Sequence, residues 1–337
     1  MNVTFLIGNG FDLACGMQTS YPAVYEEYIK TPSATPIIEQ FKADLIKNKT
    51  KENWGNWSDF EMGMAQYAEK FDNEQDFITC IADFKKFLRG YLLKEQAAFK
   101  KFWGYAYKEA EFELQKYISF CVSNFYLGAS KKLEREIVER GDKIKNINFV
   151  SFNYTTVLDM IIRCNWGPKK PIYHIHGTLE DGDVTLGIDE DTQIKNRFSL
   201  TKKGKRVFVK PFFNNEEDPK KVEDIKQLII ESEYICAFGL SFGDSDLTWK
   251  NAIIEWLKSH KDHHLFLYDY GCSKIEIDDI AMRRNEEETQ KSFILSAKNF
   301  CQEDSRIFEQ IHIPIGDTIF DFVSVLQAIA DKKMKTA

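Results

Sequence analysis

The sequence has no C-x-x-C pair. Its seven cysteines, at 15, 80, 121, 164, 236, 272 and 301, are scattered and odd in number. That argues against a disulfide framework and against a structural zinc site, and favours buried free thiols in a reducing cytoplasm. No run of about 18 uninterrupted apolar residues occurs, so no membrane span is expected. The N-terminus enters an apolar run directly, without a basic region and long apolar segment ahead of it, so no signal peptide is expected either. Positive charge is in deficit: 45 Lys and Arg against 52 Asp and Glu give a net charge of -7. This argues against nucleic acid as a partner. Internal repeats and low-complexity linkers are also missing. Aromatic residues are abundant at 14% of the 337 residues, with 27 Phe, enough for a thick core in one large domain or two ordinary ones.

The first twenty-one residues organise the rest. Val3-Thr4-Phe5-Leu6-Ile7 is a short apolar run that breaks into Gly8-Asn9-Gly10-Phe11-Asp12 and continues as Leu13-Ala14-Cys15-Gly16-Met17. An apolar strand that ends on a glycine pair and turns into a helix opens many nucleotide-binding α/β domains. Glycine lets the backbone approach a phosphate, and a helix N-terminus supplies N–H groups. The spacing here is G-x-G-x-x-x-x-x-G, which is not the dehydrogenase G-x-G-x-x-G.

A dehydrogenase would next return to strand. Instead 21–140 reads almost wholly helical, with apolar residues of 77–92 on one stripe. Strand character returns at Ile147–Phe152, Pro171–Gly177, Tyr234–Leu240 and His264–Asp269, with helices expected at Val157–Cys164, Val222–Ser232 and Leu247–Ser259. Residues 181–205 read as a long loop or hairpin, Arg206–Val209 as a strand, and two helices are expected in the tail. The expected architecture is an α/β domain with a Rossmann-like parallel sheet, formed by 1–20 and 141–337, into which 21–140 inserts a helical bundle after the first βα turn.

In a parallel sheet all strand-end turns lie on one edge, where ligands bind. Gly8 to Asp12, Asn153, His176 with Gly177, Gly239 with Ser241 to Asp246, and Asp269 can then converge despite their separation in sequence. His174 and His176 alternate with Tyr173 and Ile175 and are expected on one strand face, with His174 as a core or supporting group. Asp244 and Asp246 are expected to cap the helix from Leu247. The charge run Lys202–Arg206 reads as solvated loop.

Four of these turns carry a resemblance. Gly8-Asn9-Gly10-Phe11-Asp12 with Gly16, Ser151-Phe152-Asn153-Tyr154, His176-Gly177 and Gly239-Leu240-Ser241 resemble the glycine loop, ribose-binding asparagine, His-Gly pair and phosphate-contacting turn of sirtuins. Leu6 to Asp12, Trp57-Ser58-Asp59-Phe60-Glu61 and Gly239 to Asp246 are most similar to the AbiH family of bacteriophage abortive-infection proteins, a family related to sirtuin-like domains. The sirtuin pattern is incomplete. The zinc ribbon is missing, Thr155 stands where an acid follows the asparagine, and Gln18-Thr19-Ser20-Tyr21 replaces the run after the glycine loop. The resemblance therefore implies NAD as ligand or substrate rather than zinc-dependent protein deacylation, and hydrolysis of the nicotinamide–ribose bond in phage defence.

In that reading Asn153 and His176 are the catalytic pair, holding the ribose or the attacking water and accepting a proton. Gly8, Asn9, Gly10, Phe11, Asp12, Gly177, Gly239, Ser241 and Asp269 bind the nucleotide. No metal is required. Two alternatives stay open: a nucleotide-sensing module without turnover, and a metal-dependent nuclease using Asp189, Asp244 and Asp246. Beyond a small-molecule nucleotide, a homo-oligomer and a phage-derived trigger are the candidate partners, and the sequence does not decide between them.

Overall fold

In the computed structural model the described residues are 1–49, 60–139, 144–166, 171–182, 184–195, 197–268, 287–294, 302–314 and 319–334. Six strands form one sheet: β1 (Asn2–Ile7), β2 (Asn146–Ser151), β3 (Ile172–His174), β4 (Tyr234–Phe238), β5 (His264–Tyr268) and β6 (Ile311–His312). Their order is β3-β2-β1-β4-β5-β6 and every pairing is parallel. This is the order of a doubly wound Rossmann sheet, with its switch point between β1 and β4. A parallel sheet covered on both faces needs apolar strands rather than alternating ones. β1 and β4 meet that demand: Val3 to Ile7 and Tyr234 to Phe238 are all buried.

The pairing register sets the site. Ile7 lies opposite both Ser151 and Phe238, Ser151 opposite His174, and Phe238 opposite Tyr268. Five strands therefore end in one row, and the turns that follow them share an edge as the sequence requires.

Three apolar clusters hold the molecule together. One sheet face buries Phe5, Phe149 and Phe238 against Leu114, Ile118 and Cys121. The other buries Leu6, Val150 and Leu265 against Ile225, Ile253 and Ile254. The third lies away from the sheet, around Tyr25, Phe41, Phe60 and Phe84, and takes in Leu179, Leu186, Ile188 and Phe208. The helical segment after the first turn comprises α1 (Asn9–Ala14), α2 (Tyr21–Tyr28), α3 (Pro36–Lys49), α4 (Phe60–Tyr67), α5 (Glu74–Ser123) and α6 (Lys131–Glu139). Helix α5 has 50 residues and departs from helical geometry at Ala110. Its first half packs in the third cluster and its second half on the sheet, so it rivets the inserted helices to the strands. Ser20 caps α2 as its position suggests, its Oγ accepting from the Ala23 N–H at 3.4 Å.

Two expectations are corrected. Arg206–Val209 is not a strand: α8 (Lys202–Phe208) and α9 (Lys210–Glu217) occupy this stretch, and only Val209 makes an isolated bridge, to Ile188. Thr201 starts α8 by accepting from the Lys203 N–H at 3.2 Å, and its own N–H is held by Glu74. Ion pairs Lys202–Glu216 and Lys205–Asp191 neutralise the charge run that read as loop. The two-residue β6 gave no periodic signal in the sequence. The remaining helices around the sheet are α7 (Val157–Trp166), α10 (Pro219–Ile230), α11 (Leu247–Ser259) and a last helix, Phe322–Met334. Among the described residues no helix is long and apolar enough to cross a membrane, and Cys15, Cys80, Cys121, Cys164 and Cys236 are free thiols.

Candidate functional site

The glycines of the first turn are used for contact between two turns. The Gly8 N–H donates to Phe238 O at 2.9 Å and the Gly10 N–H to Gly239 O at 3.0 Å. A Cβ on Gly8 would lie 2.5 Å from Gly239 O, and one on Gly10 would lie 2.4 Å from Gly239 Cα. Gly239 itself has φ +69, a region that favours glycine. The β1 and β4 turns thus close on each other at the switch point, and the two N–H groups expected to cradle a phosphate are bonded to protein carbonyls. Because the atoms in the way are backbone, Gly10→Ala is expected to cost about 2–3 kcal/mol. A urea midpoint equal to that of the parent would show that the turns part freely. Phe11 belongs to the core: it is fully buried, with ring centroids 5.5 Å from Phe320 and 5.7 Å from Phe322.

Beside this closure is a cavity of ≈ 160 Å³. Asn9, Asp12, Thr19 and Tyr21 line it from the first turn, Phe152 to Thr155 from the end of β2, and Gly239 to Ser241 with Ser245 and Asp246 from beyond β4. His176 and Lys210 enter from one side, Glu61, Leu88 and Leu92 from the inserted helices. Asn153, Asp12, His176, Asn9, Gly239 and Ser241 are thereby brought together. Gly177 is not; it lines a separate cleft with His174, Asp181 and Lys221. Asp269 lies outside the described residues, as do Trp57, Ser58 and Asp59.

Asp12 is the hub of the cavity floor. It is almost fully buried. Asn153 Nδ2 donates to its Oδ1 at 3.2 Å and to Gly8 O at 3.0 Å, while Thr155 Oγ1 donates to its Oδ2 at 2.7 Å. Thr155 thus holds an acid that α1 supplies. Burial pushes the Asp12 carboxyl up to about 7 in spite of both donors. His174 supports this group from behind: its Nε2 meets Asp159 Oδ2 at 2.8 Å and its Nδ1 faces Asn153 O at 3.2 Å. The two histidines do not share a face, because β3 ends at His174 and His176 is already in the turn.

The opposite wall is ionic. Lys210 Nζ donates to Glu61 Oε2 at 2.8 Å, Asp246 Oδ1 at 3.0 Å and Ser245 O at 3.0 Å, which engages all three of its N–H groups. Burial would lower the lysine, but Asp246 and Glu61 hold it well above its ordinary value. Burial would likewise raise Asp246, but the ammonium and His176 hold it below the usual carboxylate range. Asp246 stands at the N-cap position of α11 as expected, but its side chain makes no cap hydrogen bond; Asp189 accepts the Thr248 N–H instead. His176 Nε2 faces Asp246 Oδ1 at 3.6 Å, an electrostatic contact too long for a hydrogen bond. Its Nδ1 is buried without a hydrogen-bond partner. Burial, reinforced by the nearby ammonium, lowers the His176 pKa. Nε2–H towards the carboxylate leaves Nδ1 with a free lone pair.

Glu61, Lys210 and Asp246 join segments that the sequence keeps far apart. Glu61 ends the Trp57–Glu61 motif, Asp246 ends the Gly239–Asp246 motif, and Lys210 lies between them in the chain. The family model described as bacteriophage abortive infection AbiH matches residues 4–268, from β1 to the end of β5. The chain belongs to the AbiH family. The matched span contains every described residue of the cavity, so the site is a property of the AbiH region and not of the tail. Comparison with curated proteins and with solved structures gives no match.

The three acids of the nuclease alternative do not form a metal set. Asp246 is bonded to Lys210, Asp189 to the Thr248 N–H, and Asp244 is exposed. An internal ammonium already occupies the centre that a cation would take. Sequence reasoning puts neither Glu61 nor Lys210 at the catalytic site: Lys210 before Pro211 reads at most as a phosphate contact, Glu61 only as the end of the Trp57–Glu61 motif, and Asp246 as a cap.

Proposed function

We propose that this AbiH protein acts in abortive infection by binding NAD at the switch-point cavity and hydrolysing its nicotinamide–ribose bond. The observation that carries the reading is the pairing, across one cavity, of a buried carboxylate, Asp12, with a histidine whose Nδ1 has no partner. Cleavage of this bond needs no general acid, because the cationic nicotinamide takes the bonding electron pair and departs neutral. What remains is a ribosyl cation. The Asp12 carboxylate, held in place by Asn153 and Thr155, stabilises that cation from the low-dielectric floor. Water attacks the anomeric carbon, and His176 Nδ1 takes its proton. The products are nicotinamide, ADP-ribose and a proton.

His176→Ala is expected to lower nicotinamide release by about 10²–10⁴-fold. The measurement is mass spectrometry of NAD, nicotinamide and ADP-ribose over time with purified protein, and in cells during infection. Unchanged release in the variant would overturn the role of His176. Tight binding of NAD with no product would replace hydrolysis by sensing.

A further inference from the structure

Resting on the NAD reading above, we infer that the cavity receives the cationic N-ribosylpyridinium end of its ligand and leaves the phosphates outside. Three observations carry this beyond hydrolysis itself. The first is charge. Asp12, Glu61 and Asp246 line the cavity, and Lys210, the lysine among its described residues, has all three N–H groups bonded within the protein. An anionic group entering this space meets carboxylates and no uncommitted ammonium, whereas a pyridinium cation is favoured by them, and Tyr21 and Tyr154 line the same space. The second is the turn. The Gly8 and Gly10 N–H groups donate to Phe238 O and Gly239 O, so the diphosphate cradle of a dinucleotide fold is already filled by protein.

The third is polar capacity. His176 Nδ1 and Thr19 Oγ1 are both buried, belong to cavity-lining residues and have no hydrogen-bond partner. The Thr19 hydroxyl can exchange hydrogen bonds with a ribose hydroxyl, and the His176 lone pair accepts from the water that attacks the neighbouring anomeric carbon. The cavity thus reads a charge and a sugar, and nicotinamide riboside, which lacks phosphate, satisfies both.

The test is calorimetry on the full chain with four probes: NAD, nicotinamide riboside, ADP-ribose and benzamide riboside, a neutral carbon-linked isostere that cannot be cleaved. Nicotinamide riboside is expected to bind within about fivefold of NAD, with ADP-ribose and the neutral isostere each at least about tenfold weaker. Thr19→Val is expected to weaken NAD and nicotinamide riboside together by about fivefold or more, with its urea midpoint unchanged. ADP-ribose binding as tightly as NAD, or a silent nicotinamide riboside, would overturn the inference. If NAD is hydrolysed and ADP-ribose competes equally, the proposed function stands and this inference falls. If the expected order of affinities appears without cleavage, the inference stands and hydrolysis falls. Absence of binding by all four probes removes both.

Discussion

Asp12→Asn is expected to make the protein more stable at alkaline pH while abolishing nicotinamide release. The carboxyl is buried, and its value moves from 3.8 to about 7 on folding. Between those two values the folded state binds a proton that the unfolded state has released, so stability falls as pH rises from about 4 to about 7 and the loss is complete above that. That rise in pKa corresponds to a loss on the order of 4 kcal/mol. Asparagine has no proton to lose. Its side-chain oxygen still accepts from Asn153, and its NH₂ can donate to the Thr155 hydroxyl, which turns to accept. Urea midpoints of the parent should therefore drop between about pH 4 and about pH 7 relative to those of the variant. Parallel midpoints across that range would show that Asp12 is not the buried acid described here. Activity has the opposite demand. Only the ionised carboxylate stabilises a ribosyl cation, so release by the parent should rise with pH through about 7. His176, whose pKa is lowered by burial, is already neutral there. The group that weakens the fold is the one the reaction needs.

Much of the site was legible in the sequence because its parts sit at strand ends. Val3 to Ile7 and Tyr234 to Phe238 are short apolar runs that stop on glycine, and Ile147 to Phe152 stops on Asn153. Such punctuation marks a strand end directly. Once the strands are taken as parallel, these ends must share an edge, and the register places Ile7, Ser151, His174 and Phe238 in one row. The role of the glycines was not legible. A glycine that admits a phosphate and a glycine that admits another backbone look alike in sequence, and here the other backbone is Gly239. The ionic wall was not legible either. Glu61 and Lys210 are 149 residues apart, and Lys210 and Asp246 are 36 apart. No local period connects them. Asp246 ahead of an amphipathic helix carries the same signature as a cap, and only the position of Asp189 decides which carboxylate meets the helix N–H.

The helix Lys202–Phe208 failed for a different reason. Lys-Lys-Gly-Lys-Arg carries a helix-weakening glycine and strong self-repulsion among its like charges, so locally it reads as loop. Its fold is imposed from outside by Glu74 of α5 and by the acidic residues Asp191, Glu216 and Glu217. The consequence is functional. Phe208 anchors this helix in the cluster of the inserted helices, and two residues later the chain delivers Lys210 to the cavity. The inserted helices therefore set the position of the ammonium as well as supplying Glu61 to meet it. Any movement of α4 relative to the sheet must break a buried ion pair, which makes the insertion a rigid wall of the site.

Lys210→Met is the sharpest probe of that wall. Methionine fills the volume of the lysine stem but leaves Glu61 and Asp246 facing each other without the ammonium, in surroundings that exclude water. Removing one partner of a buried ion pair costs about 3–5 kcal/mol, and here two carboxylates lose it at once. A second substitution should recover much of that loss. In Lys210→Met with Glu61→Gln, the glutamine oxygen keeps the Gly187 N–H bond that Glu61 Oε1 accepts at 3.1 Å, and its amide can donate towards Asp246. The double variant should be more stable than Lys210→Met alone, although Glu61→Gln by itself breaks the ion pair and destabilises. A coupling of about 1–3 kcal/mol in the urea midpoints of the four proteins is expected. Strictly additive effects would mean that Lys210 and Glu61 do not act as a pair. The same change tests the link to the base. With the ammonium removed and Asp246 left as the neighbouring charge, the His176 pKa should move up from its lowered value, because one of the groups that depress it is gone. Its imidazole resonances should then titrate at higher pH in the double variant than in the parent.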